Sequence, residues 1–516
     1  MNIRQLTLIL LLLALSPVMQ SFCGFYVAKA DARLWNKASS VILTRQGEQT
    51  AVTMISDFQG DVKDFAIVIP VPVVLKKEQI RIADASVFQT LDDYSAPRLV
   101  EYHDENPCDA PRYELMEDMV MSAPMEDSEM KRSAPSGPRK QVTILERYTV
   151  GEYDILILSA EESSGLKTWL NDNGYRVPAD AEEVLDPYLK SGMKFFVAKV
   201  NLENYAKSGS KELRPIQMTF QSPKFMLPIR LGMANANGDQ DLIIYAITDQ
   251  GRVETANYRT LDIPSDKQVP LFVKEKFGAF YRDLFQKAWK NSGENTVWTE
   301  YAWDLSSSNY SHCDPCTGTP PQYADLREAG VFWVTAARPN GYSISDYTGN
   351  LFFTRLHVRY RRSTFPQDLV FIATPNKTQH QGRYILTHPA TGDLTCPEGK
   401  NYKKSLLNRR QDELRNLSDL TGWANATDYL YSTPLEGERQ RMSPYLEPIR
   451  KRDTLDKGSL PILQTPDQPT PPAPTPELPP ARRQPWSYWF VALAGLGAAL
   501  GGWLWMRHRT TPASLS

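Results

Sequence analysis

Two apolar runs near opposite ends of the chain differ in length, and their lengths give them different meanings. The run at residues 486–506 carries no charge and is flanked by tryptophan and tyrosine, which prefer membrane interfaces. Its length is the roughly 20 residues that a helix needs to cross a bilayer. The run at residues 6–15 follows Arg4 and ends at Ser16 and Pro17, which is typical of a secretory signal peptide. The pattern predicts a signal peptide at 1–21 and a single transmembrane helix at 486–506.

These two segments together predict one orientation in the cell membrane. The bulk of the chain is exported to the periplasmic or extracytoplasmic side, and residues 507–516 form a cytoplasmic tail. Arg507 and Arg509 agree with the excess of basic residues on cytoplasmic flanks. Gly497 and Gly501 have the spacing that lets two membrane helices approach closely as a homodimer. The alternative is that glycine is simply common in membrane spans.

Between the ends, hydrophobic periodicity predicts an α+β ectodomain that is rich in strands and has a few amphipathic helices. The predicted strands are 41–45, 51–58, 65–69, 155–158, 194–200, 216–220, 225–231, 241–248, 351–360, 368–374 and 383–387. The predicted helices are 84–93, 159–170, 181–189, 272–289 and 403–420. Ser159 and Glu162 form a capping box that would open the second of these helices. Pro70 is expected to end the strand at 65–69.

Changes in composition divide the ectodomain into segments. Residues 22–105 form a strand-rich N-terminal part, and residues 142–430 form the main α/β part. Between them, residues 106–141 are rich in Met, Glu, Pro and Ser without periodicity, which predicts a disordered insertion. Residues 431–485 form a linker that is proline-rich from 461, a semi-rigid spacer between the folded part and the membrane.

Charge and cysteine content limit the classes of partner. The chain has 58 basic and 60 acidic side chains and no basic stripe, which argues against nucleic acid. All five cysteines lie in the predicted exported part, where an oxidising environment favours disulfides. They are Cys23, Cys108, Cys313, Cys316 and Cys396. The odd number leaves one thiol unpaired or joined to another chain. Lipid attachment at Cys23 is disfavoured because the bulky Phe22 precedes it.

The stretch His312-Cys313-Asp314-Pro315-Cys316 is the most suggestive chemical motif, and three interpretations apply. A Cys-x-x-Cys pair resembles a thiol–disulfide exchange motif, but the following TGTPP does not continue the helix that would activate its thiol. A zinc site would use His312, Cys313, Cys316 and either Cys396 or Cys108. A structural disulfide between Cys313 and Cys316 is the interpretation that export favours.

Two further groups of residues suggest ligand binding. A methionine cluster in the insertion offers soft thioether ligands for copper, although linkers also tolerate methionine freely. Its members are Met116, Met119, Met121, Met125 and Met130. Arg355, His357 and Arg359 alternate in the strand RLHVRY. This basic ladder would suit an anion, or it is the solvated face of a half-buried strand.

Several dispersed segments in one order resemble a known family. They include FCGFYVAKADA, FAIVIPVP, YDILILSAEESSGLKTWLNDNGYRVP, YAWDLSSSNYSHCDPCTG, FTRLHVRYRRSTFPQDLVF, GRYILTHPATGDLTCP and LRNLSDLTGW. This order is similar to that of the bacterial domain-of-unknown-function family 2330, over residues from about 23 to 423. The resemblance implies a secreted or membrane-anchored bacterial protein and implies no reaction.

No catalytic motif accompanies these features. The sequence has no G-x-S-x-G elbow, no H-E-x-x-H helix and no phosphate-binding glycine loop. It therefore predicts a membrane-anchored binding or structural module for an unknown protein or envelope partner, without a cofactor. The alternatives are a redox protein acting through Cys313 and Cys316, and copper binding through the insertion.

Overall fold

A computed structural model describes thirteen stretches of the chain, all within one unit, Met1–Arg441. They are residues 25–26, 35–36, 39–55, 58–59, 66–109, 143–160, 163–173, 181–208, 213–235, 238–307, 319–338, 345–424 and 427–435. The predicted signal peptide, most of the insertion, most of the linker, the predicted membrane helix and the tail lie outside these residues.

Runs of several strands with helices between them make up the described chain, as expected for an α+β protein. The strands are β1 (Phe25–Tyr26), β2 (Trp35–Asn36), β3 (Ser39–Gln46), β4 (Gln49–Ile55), β5 (Phe58–Gln59), β6 (Ala66–Val71), β7 (Ile80–Ile82), β8 (Arg98–His103), β9 (Thr143–Val150), β10 (Tyr153–Ser159), β11 (Lys194–Val200), β12 (Ile216–Gln221), β13 (Met226–Leu227), β14 (Gln240–Thr248), β15 (Val253–Thr255), β16 (Arg259–Asp262), β17 (Lys267–Gln268), β18 (Thr296–Asp304), β19 (Thr335–Ala336), β20 (Tyr347–Thr348), β21 (Phe352–Tyr360), β22 (Leu369–Ala373), β23 (His380–Gln381) and β24 (Arg383–His388). The α-helices are α1 (Ser86–Ser95), α2 (Ser163–Asp172), α3 (Ala181–Lys190), α4 (Leu202–Ser208), α5 (Phe277–Asn291), α6 (Tyr323–Ala329), α7 (Pro397–Thr421) and α8 (Thr427–Leu430). None of these helices is both long and apolar enough to cross a membrane.

Two sheets packed face to face form the centre of the fold. The larger sheet has the strand order β16-β18-β21-β14-β3-β4-β12-β7, with β23 beside β18. The smaller is β1-β6-β11-β10-β9, in which every neighbouring pair is antiparallel. Alternate residues of both sheets, such as Val41 and Leu43 on β3 and Phe196 and Ala198 on β11, meet in one apolar core. Because successive side chains of a strand point to opposite faces, each sheet also has an outer face, which other elements must cover.

Helices cover both outer faces, which gives four layers. Leu166 and Leu170 of α2 and Leu185 of α3 pack on the smaller sheet. On the larger sheet, Leu91 of α1 and Leu326 of α6 share one cluster, while the apolar face of α5 lies in a neighbouring one. Three short strands, β13-β22-β15, form a further sheet beside this core.

The last described segment is held by a buried arginine. Arg410 of α7 has only 1% of its surface exposed. Its guanidinium donates to the backbone carbonyls of Leu430 (3.1 Å), Ser432 (2.6 Å) and Thr433 (2.6 Å). These bonds fix the point from which the chain leaves the described fold.

Several predicted elements are confirmed and others are wrong at their ends. Strand β11 has the predicted bounds, and Val87, Phe88 and Leu91 form the buried face of α1 as expected. Ser159 does not open a helix, since it is the last residue of β10 and pairs with Thr143.

Proline has different effects in two predicted strands. Strand β6 continues through Pro70 to Val71, because the described part of β1 borders it only at Ile67 and Val68 and leaves an open edge there. The predicted strand 225–231 shrinks to the two residues of β13, because Pro228 follows.

Candidate functional site: a buried charge network and a cationic cleft

The basic ladder of β21 is buried. Arg355, His357 and Arg359 keep 7%, 12% and 15% of their side-chain surfaces exposed. Phe353 points to the same face by strand alternation and lies in the core beneath α1. The interpretation of this face as solvated is therefore wrong, because helices cover it.

His357 lies between two carboxylates. Its Nδ1 is 2.7 Å from Oε1 of Glu300, and its Nε2 is 3.1 Å from Oδ1 of Asp241. The ring stacks on Phe285 of α5 with centroids 3.8 Å apart. Burial alone would lower the pKa of His357, but the charge of Glu300 and the hydrogen bonds to Asp241 and Glu300 outweigh burial and raise it. The geometry favours a doubly protonated imidazolium.

Glu300 reaches this network because β18 contains a bulge. The register between β18 and β21 shifts between Thr299 and Tyr301, so Glu300 is the extra residue. Its Oε2 accepts a hydrogen bond from Nε of Arg355 at 2.6 Å, and its Oε1 accepts one from the hydroxyl of Tyr281. Burial would raise the pKa of Glu300, but the charges of His357 and Arg355 lower it to about 2.

Two more carboxylates complete the network. Asp241 of β14 accepts bonds from Nε and Nη2 of Arg359 at 2.8 and 2.9 Å. Asp92 of α1 accepts bonds from Nη1 of Arg355 at 2.6 Å and from the hydroxyl of Tyr245 at 2.7 Å. Each of the three cations of β21 thus faces carboxylates of the chain itself. The anion-binding interpretation is wrong for this ladder, and its role here is to hold α1 and α5 on the sheet.

A second candidate site is a cleft elsewhere in the fold. It lies between α3, the β13 region and β22, with a volume of about 710 Å³. That volume falls within the range of small-ligand pockets, roughly 300–1,000 Å³. Its lining combines apolar side chains with three cations, Arg45, Lys224 and Arg230.

The three cations of the cleft differ in how they are held. Arg45 donates to the hydroxyl of Thr50 at 2.8 Å and to the carbonyl of Ser222 at 3.2 Å. Its guanidinium lies 4.9 Å from the ring centroid of Phe225. Lys224 is exposed and Arg230 half-buried, and neither forms an ion pair with a carboxylate in the described part of the chain. The described lining therefore has more positive than negative side chains, since Asp368 is its acidic member.

Asp368 is the acidic residue of the lining, and its Oδ1 is occupied by donors. That oxygen accepts bonds from the hydroxyl of Tyr188 at 2.6 Å and from the amides of Ile229 (3.0 Å) and Arg230 (3.1 Å). Burial raises the pKa of Asp368, although these donors and the charge of Arg230 act against it. Asp368 thus fixes the backbone at Arg230 and joins α3 to the rim of the cleft.

The apolar wall of the cleft includes an exposed strand face. Val370 and Ile372 of β22 keep 40% and 46% of their surfaces exposed, while Leu369 and Phe371 point into the core. An apolar run on both faces of a strand is typical of a strand covered on both sides. The sequence contained this signal in LVFIA, but nothing in it placed Lys224 and Arg230 beside that run.

The structure shows how two of the five cysteines pair. Cys108 and Cys396 form a disulfide, which closes a sequence separation of 288 residues. Neither is then available as a thiolate, so the zinc interpretation loses its fourth ligand and is wrong in that form. His312, Cys313 and Cys316 lie outside the described residues, as do the five methionines of the copper interpretation. Among the described residues, no group of His, Cys, Asp and Glu has the arrangement of a metal site.

The family follows from a match that spans most of the chain. A family model described as an uncharacterised protein conserved in bacteria, DUF2330, matches residues 17–372. The chain belongs to the DUF2330 family. The matched part of this DUF2330 protein includes His357 and its partners and almost the whole lining of the cleft. No curated protein and no solved structure matches the chain.

Proposed function

We propose that this DUF2330 protein is an exported, membrane-anchored binding module that takes an acidic, partly apolar ligand in the cleft. The observation that carries the proposal is the cleft itself, where Lys224 and Arg230 form no ion pair with a described carboxylate and lie beside exposed Val370 and Ile372. Such a lining suits a ligand with negative charge on an apolar body.

The exported location is part of the proposal and has independent support. The apolar runs at 1–21 and 486–506 carry it in the sequence. The disulfide between Cys108 and Cys396 agrees with it, because disulfides persist in oxidising compartments. Protease added to spheroplasts or right-side-out cells would digest the ectodomain of an exported protein and leave a cytoplasmic one intact.

The binding proposal is tested with a pair of labelled peptides of opposite charge. One is a short peptide of glutamate and leucine, and the other has lysine in place of glutamate. Fluorescence anisotropy with the detergent-solubilised chain is expected to show binding of the acidic peptide, weakening with salt because exposed charges are screened. The chain without residues 113–130 is measured in parallel, because that segment has the chemistry of the probe.

Charge reversal at the cleft supplies the specific control. The double variant Lys224→Glu, Arg230→Glu is expected to lose most of the affinity for the acidic peptide. The matched variant Lys276→Glu, Lys290→Glu changes the net charge equally at exposed positions away from the cleft and is expected to bind as the parent does. Equal binding of both peptides, or equal effects of both double variants, would refute a cationic recognition site.

A further inference from the structure

A second pocket adjoins the cationic cleft, and the two share part of their lining. The second pocket has a volume of about 670 Å³. Asn257 and Gln367 line both spaces. Nδ2 of Asn257 donates to Oε1 of Gln367 at 3.3 Å and to the carbonyl of Asp368 at 2.8 Å, which fixes the ridge where the two spaces meet. One elongated molecule can therefore occupy both.

The second pocket differs from the cleft in its chemistry. Its described lining has no carboxylate and offers several hydrogen-bonding side chains besides the shared ridge, namely Tyr258, Arg259, Asn295, Ser363 and Thr364. Arg259 and Asn295 are exposed, and neither side chain forms an ion pair or hydrogen bond with a described residue. Donors and acceptors around a concave surface suit the hydroxyl groups of a sugar.

The acidic residue next to this lining is already paired. Glu294 precedes Asn295 in the chain and forms an ion pair with Nη2 of Arg361. Nη1 of the same guanidinium contacts Asp239 at 2.8 Å, and its Nε donates to the hydroxyl of Ser363 at 3.1 Å. Arg361 therefore compensates both carboxylates and holds Ser363 at the pocket wall.

Arg230 lies close to both spaces. It lines the cleft, where its backbone amide donates to Asp368 at 3.1 Å. Burial raises the pKa of Tyr258 in the second pocket, while the hydrogen bond with Gln367 and the charge of Arg230 act against burial. An anionic group bound at Arg230 would thus have the cleft on one side and the second pocket on the other.

The exposed face of β22 offers apolar side chains without backbone hydrogen bonds. Strand β22 lies between β13, which pairs with residues 369–370, and β15, which pairs with residues 371–373. An extended peptide lying on Val370 and Ile372 would lose water from its backbone without gaining partners there. A hydrocarbon chain has no polar group to satisfy and gains from burial. This face therefore favours the apolar chain of a lipid.

From these three adjoining surfaces we infer that the ligand of the cleft is a lipid that carries an acidic group and a sugar. Its apolar chain lies on the exposed face of β22, and its acidic group lies at Lys224 and Arg230. Its sugar occupies the second pocket beside Arg259 and Asn295. The inference rests on the proposed function, because it names the class of ligand that the same cleft takes.

Three synthetic probes separate the contributions of the chain, the acid and the sugar. Octyl phosphate carries the chain and the acid, octyl glucoside carries the chain and the sugar, and octyl glucosyl phosphate carries all three. Isothermal titration calorimetry measures their binding to the full chain, solubilised in a detergent without a sugar headgroup. Octyl glucosyl phosphate is expected to bind about tenfold more tightly than octyl phosphate, the gain given by one or two net hydrogen bonds to the sugar.

Two double variants assign this preference to the second pocket. Arg259→Ala with Asn295→Ala is expected to reduce the preference to about twofold or less, because the donors to the sugar are lost. The matched variant Lys276→Ala, Asn291→Ala removes a cation and an amide at exposed positions that line neither space, and is expected to keep the full preference. Partitioning of the probes into micelles cancels when the preferences of the variants are compared.

The outcomes distinguish failure of this inference from failure of the proposed function. Equal binding of octyl phosphate and octyl glucosyl phosphate, or equal preferences in the two double variants, would overturn the inference while binding of an acidic ligand stands. Binding of the acidic peptide without binding of either phosphate probe would have the same meaning. If the acidic peptide and both phosphate probes all fail to bind, the proposed function fails as well.

Discussion

Replacing Glu300 by glutamine tests the buried charge network. The pKa of Glu300 falls from its ordinary 4.5 to about 2 in the folded protein. At about 1.4 kcal/mol per unit, the folded protein favours the ionised form by about 3 kcal/mol. Glu300 is almost fully buried, so solvent screening does not reduce this figure. Glu300→Gln keeps the size of the side chain and removes its charge, and is expected to lower the free energy of unfolding by about 3 kcal/mol at pH 7.

The pH dependence gives this prediction a second, sharper form. A carboxyl group whose pKa is lowered by folding stabilises the protein above its ordinary pKa, and this stability is lost as the pH falls through the folded value. The difference between wild type and Glu300→Gln is therefore expected to be complete above about pH 5 and to shrink toward pH 2.

His357 also stabilises the folded protein, but its contribution is lost as the pH rises rather than as it falls. Its pKa is raised in the folded protein, so its stabilisation is complete below the ordinary 6.5 and is lost as the pH rises through the raised value. Glu300→Gln removes the charge of Glu300, which is the largest cause that raises the pKa of His357. The stabilisation by His357 is therefore expected to be lost at a lower pH in Glu300→Gln than in the wild type.

Urea unfolding followed by tryptophan fluorescence measures both effects. Glu275→Gln is the matched control, because Glu275 is exposed and a surface substitution usually changes stability by less than about 0.5 kcal/mol. A loss below about 1 kcal/mol at pH 7 for Glu300→Gln, or an equal loss at pH 3 and pH 7, would refute the assignment of a stabilising ionised Glu300.

Three further predictions concern other parts of the fold. Gly330→Ala is expected to lower the free energy of unfolding by about 1–3 kcal/mol, because φ is +96° there and a Cβ would lie 2.9 Å from a side-chain atom of β4. Gly278→Ala, in open space on α5, is the control and is expected not to destabilise the protein. Urea unfolding measures both variants. Arg410→Gln leaves backbone carbonyls of the last described segment without their donor and is expected to speed protease cleavage there, and an unchanged cleavage rate would contradict the anchoring role. Cys108→Ser with Cys396→Ser removes the disulfide and is expected to lower stability by about 2–5 kcal/mol in urea without reductant. Equal urea midpoints of this variant and the wild type would contradict that expectation.

Local sequence patterns predicted the elements whose contacts are local. The helical spacing of Val87, Phe88 and Leu91 identified α1, and the run at 194–200 identified β11 with its observed bounds. Helix α7 begins at Pro397, six residues before the predicted start at Lys403, because the sulfur of Cys396 accepts from the amide of Gly399. Cysteine is not among the usual N-cap residues, so this signal was missed.

The charge network could not be predicted from local sequence patterns, for a different reason. The alternation of Arg355 and His357 was visible, but their partners come from strands and helices distant in sequence. Strand β18 was not predicted at all, and the bulge at Glu300 interrupts the alternation that would have revealed its inward face. Whether a basic ladder faces water or buried carboxylates depends on such non-local pairing.

The disulfide has a consequence for how the protein behaves once it is cut. Cys108 lies just before residues 110–142 and Cys396 far after them, so a single cleavage within 110–142 leaves one cysteine on each fragment. Strands β3 and β4 of the first fragment also remain paired with β14 and β12 of the second. A nicked molecule is therefore still one covalent species, which runs as two bands only after reduction. Under the proposed anchoring, the N-terminal fragment stays at the membrane through its partner rather than diffusing away.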